Sequence, residues 1–252
     1  MLGLLFLPSS QSACAAPSKA PPPDRSAACA LEGFRFTQIC KTVGIQEITL
    51  VKGAIRVKHK NSGMVAVYRE PYKEAVFYNT ASKKIVSLPL AKYVSPYAYS
   101  WNFFFTRNIA DIPIVESGAA KYADRAARRY RSSDKFGESQ EALYAKHDIP
   151  ARCVKTLLYT VTDAFKTGSE QNRLLQKMYG LPLVEGLPLE LVFYDLHNMK
   201  KSYLTTSDIK AIKVSPADFD VPQGLATARN VEEVCSDVNS GGLDLFAPGI
   251  QK

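Results

Sequence analysis

The sequence predicts an α+β domain built on an antiparallel sheet, and three observations predict it. Short strands joined by tight turns fill residues 45–88, helical spacing occupies the middle of the chain, and strands return from residue 187 onward. Strands, then helices, then strands is an α+β order, because a parallel sheet needs strand and helix in alternation. The 13 Tyr and 12 Phe fit this class, since aromatic side chains suit a half-buried pleated surface.

The chain opens on "MLGLLFLPSSQSACAAPSKAPPP", an apolar run from Leu2 to Leu7 followed by small residues around Cys14. That order reads as a signal-like segment over residues 1–15, and the run is far short of the ~20 apolar residues that span a bilayer. Ser12-Ala13-Cys14 resembles the end of a bacterial lipobox, which makes Cys14 a lipidation site. Ala13-Cys14-Ala15 also reads as an ordinary A-x-A cleavage site that releases a soluble exported protein. Residues 16–30, with Pro21, Pro22 and Pro23 in succession, then form a polar, extended tether.

"LEGFRFTQICKT" spaces Leu31, Phe34 and Ile39 in a helical manner, so a helix is expected over residues 31–41. An exported chain favours disulfides among Cys29, Cys40, Cys153 and Cys235, and no C-x-x-C spacing points to zinc or to a redox motif. A helix at 31–41 keeps Cys29 from Cys40. Set beside a second helix at 150–165, it favours Cys40 with Cys153 and Cys29 with Cys235.

Residues 45–88 read as five strands, Ile45–Val51, Ala54–His59, Met64–Arg69, Glu74–Tyr78 and Lys84–Leu88, separated by turn signals such as Asn61-Ser62-Gly63 and Glu70-Pro71. Connections this short make neighbours antiparallel. In "AIRVKHK", Ile55 and Val57 face one way while Arg56 and Lys58 face the other. "MVAVYR" and "EAVFYN" are apolar on both faces, so the sheet is covered on both sides there.

Pro150 with Val154, Leu157, Leu158, Val161 and Phe165 gives the spacing of an amphipathic helix over 150–165, and "SEQNRLLQKMYG" gives a second helix from a Ser169 N-cap to Gly180. "LPLELVFYDL", "KKSYLTTSD" and "IKAIKVSP" are the closing strands. The sheet ends in "VSPADFDVPQGL", where Pro222 and Gly224 stop the pairing and Phe219 folds back onto the sheet. A domain over 31–235 and a flexible tail over 236–252 complete the organisation.

"YGLPLVEGLPLELVFYDLHNMKKSYLTTSDIKAIKVSPADFDVPQGL" resembles the C-terminal half of exported domains of the LolA/LolB-like superfamily. "AIRVKHKNSGMVAVYREPYKEAVFYNTASKKIVSL" is similar to the first meander of the same group. The resemblance implies a strongly curved antiparallel sheet, a half-barrel, with helices across its concave face and a greasy cleft able to take acyl chains. Val65, Val67, Val76, Tyr78, Trp101, Phe103, Leu189, Leu191 and Phe193 are the candidates for the cleft lining.

A net charge of +8 favours anionic partners. The sharpest local feature is "KYADRAARRYRSSDK", in which Lys121, Arg125, Arg128, Arg129 and Arg131 alternate with Tyr122 and Tyr130. Export argues against nucleic acid, so these side chains are candidates for anionic headgroups at a membrane surface or for the solvated face of a strand. His59, His147 and His197 fall in separate segments, and Asp208, Asp218 and Asp220 cluster near a strand end. The histidines form no metal or catalytic motif, the aspartates read as a solvated edge or as a metal site, and no nucleophile elbow or phosphate loop is present. The expected protein is a periplasmic or envelope carrier or sensor that binds a hydrophobic or lipid-bearing ligand without catalysis, cofactor or metal. The alternative is an envelope protein-interaction module whose cleft is filled by its own helices.

Overall fold

In the computed structural model, which describes residues 30–96, 108–147 and 154–235, the strands form one open 12-stranded sheet. In chain order they are β1 (Leu31–Cys40), β2 (Gly44–Val51), β3 (Ala54–His59), β4 (Val65–Arg69), β5 (Glu74–Asn79), β6 (Lys84–Pro89), β7 (Ile114–Tyr122), β8 (Arg125–Ser132), β9 (Val154–Thr162), β10 (Leu187–Asp195), β11 (Lys200–Val214) and β12 (Ala226–Thr227). Among the described residues three α-helices accompany them: α1 (Asp134–His147), α2 (Ser169–Tyr179) and the short α3 (Val231–Cys235). The spatial order is β12-β6-β5-β4-β3-β2-β1-β11-β10-β9-β8-β7. Every pairing is antiparallel except β12 on β6.

The pleat divides the apolar residues between two cores. One face gives the main core, with Ile48, Leu50, Ile55, Val57, Ala66, Tyr68 and Phe77 from β2 to β5 and Leu174, Leu175 and Met178 from α2. The opposite face gives a smaller core of Val51, Ala54, Val65, Val67, Tyr78, Val214 and Phe219. The doubly apolar strands β4 and β5 are therefore covered on both sides, as their sequence demands.

The cover on the second face is the segment that follows β11. Ser215 Oγ caps a 3-10 turn over Pro216–Phe219 by accepting from Ala217 N at 3.3 Å, and Phe219 is buried in the small core. The chain then crosses to the far edge, where Ala226 N donates to Lys83 O at 2.8 Å and Ala228 N to Ile85 O at 2.7 Å. It acts as a strap that closes the β6 edge of the sheet.

Several expectations change. Residues 31–40 form the central strand β1, not a helix. Phe34, Phe36, Gln38 and Cys40 turn to the more buried side, and the polar Gln38 in that row hides the period of two. Residues 154–162 are likewise the strand β9, held between β8 and β10. It is buried on both faces from Tyr159 to Thr162, and an apolar run of that kind mimics helical spacing. "KKSYLTTSD" and "IKAIKVSP" are one strand, β11, with an irregularity at Asp208, whose φ is +56°.

The disulfide scheme changes with β1. Cys40 carries a buried free thiol, the helix that motivated its pairing with Cys153 is absent, and Cys153 itself lies outside the described residues. Cys235 Sγ donates to Met64 Sδ at 3.2 Å, and its expected partner Cys29 lies outside the described residues.

The expected α2 is present, with Gly168 in place of Ser169 as its N-cap, and Gly180 closes it at φ +63° in the left-handed conformation that glycine adopts without strain. Helix α1 has no clear signal in the sequence. Its Gly137 allows a close approach to β9, because a Cβ there would lie 2.9 Å from Lys155 O.

Candidate functional site: the helix-covered face of the sheet

Helix α2 lies over the main core and buries Gln171, Asn172, Leu174, Leu175, Gln176, Met178 and Tyr179. Beside this apolar contact, polar side chains tie the helix down. Gln171 Nε2 donates to Val51 O at 2.9 Å, and Gln176 Nε2 donates to Val184 O at 2.7 Å and Gly186 O at 3.3 Å. Lys177 Nζ donates to the carbonyls of Leu90, Ala91 and Tyr93 at 2.8, 2.9 and 3.1 Å. Desolvation, followed by the nearby charge of Arg173, pulls the Lys177 ammonium below its ordinary pKa. At the end of the helix Tyr203 Oη donates to Tyr179 O at 2.8 Å.

A buried polar row crosses the sheet in register: Thr206 on β11 opposite Gln38 on β1, Gln38 opposite Gln46 on β2, and Gln46 opposite His59 on β3. Gln38 Nε2 donates to Pro188 O at 2.6 Å and Thr206 Oγ1 at 3.0 Å, which fixes its amide with Oε1 turned away. Gln38 Oε1 and both side-chain heteroatoms of Gln46 are buried and make no hydrogen bond among the described residues, and neither does the Tyr179 hydroxyl. His59 Nδ1 accepts from Ser62 N at 3.0 Å, while Nε2 bonds Val43 O. Burial lowers the His59 pKa from its ordinary value.

The predicted lining residues separate. Leu189 and Leu191, both 0% exposed, and Phe193, 4% exposed, join the main core under the helices. Val65, Val67, Val76 and Tyr78 face the other way, into the small core beneath the strap. Trp101 and Phe103 lie outside the described residues, as do Cys14, Cys29 and Cys153. The residues that share the floor with Leu189 and Leu191 are Phe36, Ala66, Tyr68, Phe77 and Tyr203. Register carries the signal for three of them. Val57 faces the core in the amphipathic β3 and pairs with Ala66, which pairs with Phe77, so the parity of β3 passes to β4 and β5.

The basic run is also divided. Arg128 pairs with Asp163 at 2.8 Å and donates to Glu185 O at 3.0 Å, and Arg131 pairs with Asp134. Arg125 lies over the rings of Phe34 and Phe165, at 5.9 and 5.5 Å from their centroids. Lys121 and Arg129 are exposed, and among the described residues neither has an ion-pair partner. The hairpin tip reaches back across the sheet, where Tyr122 Oη donates to Thr206 O at 2.7 Å.

The remaining polar candidates stay apart. His59 is on β3, His147 ends α1 and His197 stands in the β10–β11 turn. Asp218 lies in the 3-10 turn, Asp220 pairs with Arg69 at 3.3 Å, and Asp208 accepts from Ser207 Oγ at 3.1 Å. Among the described residues no three His, Cys, Asp or Glu side chains are placed to hold a metal, and no helix is long and apolar enough to cross a membrane.

No family model matches the chain, and no curated protein matches it. Among solved structures it is similar to an uncharacterized conserved protein from Thermus thermophilus, at 13% identity and a TM-score of 0.41, over 78% of this chain and 89% of that one. It is similar to a LolA superfamily protein from Nitrosomonas europaea at 9% identity and a TM-score of 0.25, over 78% and 92% of the two chains. A third structure, described as an outer membrane lipoprotein-sorting protein domain from Vibrio parahaemolyticus, gives 9% identity and a TM-score of 0.30 over 75% and 89%.

Proposed function

We propose that this protein is a non-enzymatic binding protein of the cell envelope that takes a hydrophobic, acyl-bearing ligand on the sheet face now covered by α2. The observation that carries this reading is how α2 is held. Leu174, Leu175 and Met178 rest on an apolar floor, while the ends of the helix are tied by side chains that donate to backbone carbonyls. Exchanging such bonds for bonds to water costs about 0.5–1.5 kcal/mol each, so the helix can yield its place to an acyl chain that covers the same floor. The unpartnered Gln38 and Gln46 atoms offer donors and acceptors to the polar end of such a ligand. The reach of Tyr122 and Arg125 on the β7–β8 hairpin back to β11 and β1 supports a bent, half-barrel sheet, with Lys121 and Arg129 free to meet anionic headgroups.

One observation favours the second reading, an interaction module with a self-filled face: Leu174, Leu175, Leu189 and Leu191 are all fully buried. Lys177→Ala distinguishes the two. Under the binding proposal it loosens α2, lowers the thermal midpoint by a few degrees and tightens the uptake of an apolar fluorescent probe such as N-phenylnaphthylamine several-fold. If neither the native protein nor Lys177→Ala takes up the probe, the interaction module is the better reading.

A further inference from the structure

We propose that the edge strand β7 is a docking site for an extended acidic peptide, which joins the sheet as one more strand. The two edges of the sheet are treated differently. The β6 edge is closed by β12, whereas β7 ends the order at the other side, and its residues 115–119 are all exposed. An edge strand presents a row of unpaired backbone donors and acceptors that another extended chain can complete. The irregularity between Glu116 and Gly118 leaves Gly118–Tyr122 as the regular stretch, in register with Arg125–Arg129 of β8.

The side chains of this stretch favour one kind of occupant. Gly118, Ala119 and Ala120 raise almost no barrier between β8 and the open edge. Arg129 stands directly opposite Gly118, and among the described residues nothing lies within 4 Å of where a Gly118 Cβ would be. A strand added to β7 runs about 5 Å beyond it and about 10 Å from β8. The Arg129 side chain can swing over Gly118 and meet a Glu or Asp side chain of the added strand within that distance.

Arg128 and Arg131 are occupied by Asp163 and Asp134, so Arg129 and Lys121 are the cations left for a partner. The overall charge of +8 also steers anionic chains toward the molecule.

The probe is a fluorescein-labelled peptide of alternating Glu and Val, seven residues long, with the Lys-Val peptide as control. Fluorescence anisotropy should show binding of the Glu-Val peptide alone. Amide hydrogen exchange should show new protection within residues 118–122. Arg129→Glu replaces an attraction by a repulsion and should weaken binding about tenfold while leaving the circular dichroism spectrum and thermal midpoint unchanged. Equal binding of the Lys-Val peptide, protection at another segment, or an affinity indifferent to Arg129→Glu would overturn the proposal. So would protection of residues 118–122 by self-association without peptide, which would make a second copy the occupant.

Discussion

At the scale of single residues, His59 shows how a buried polar row couples the fold to pH. The ring accepts from Ser62 N on Nδ1, so protonation there sacrifices that bond and places a charge in the core. Burial lowers its folded pKa below the ordinary value of 6.5, so in the interval below 6.5 the unfolded chain holds the extra proton. Stability is fully present above pH 6.5 and is lost as pH falls through that interval toward the folded value. Urea midpoints measured between about pH 7.5 and pH 5 should fall, and His59→Gln should remove this component of the slope. An unchanged slope in the variant would assign the acid sensitivity to other groups. The residue scale is also where the sequence misleads most. Val65 and Val67 are as apolar as the true floor residues, and only the registers Val57↔Ala66 and Ala66↔Phe77 place them on the strap side.

At the scale of elements, the strap after β11 makes the clearest energetic claim. Phe219 is 3% exposed and packs with Val65, Val67 and Tyr78, which the strap shields from water. Phe219→Ala should therefore cost about 3 kcal/mol or more by urea denaturation. A loss below about 1 kcal/mol would mean that the strap is not a structural cover. Elements were legible in proportion to their amphipathicity. β2 to β6 stand within a residue or so of their expected bounds, because alternation and turn residues mark both their faces and their ends. β1 and β9 were not legible as strands, since central strands with partners on both sides take their structure from neighbours distant in sequence. α1 went unread because Phe136 and Gln140 leave too short an apolar stripe to show a period.

At the scale of the whole molecule, the antiparallel sheet was legible from the α+β order of the chain, whereas of the helices only α2 was. Which side of that sheet can serve as a ligand site was not, because it depends on where α2 and the strap settle. The proposed apolar ligand lies under α2, on the floor that includes Leu189, Leu191 and Tyr203. Native mass spectrometry of the full chain, purified from a bacterial envelope without detergent, tests this most directly. A co-purifying lipid mass that N-phenylnaphthylamine displaces is the expected result. A bare protein mass together with no uptake of the probe would contradict it.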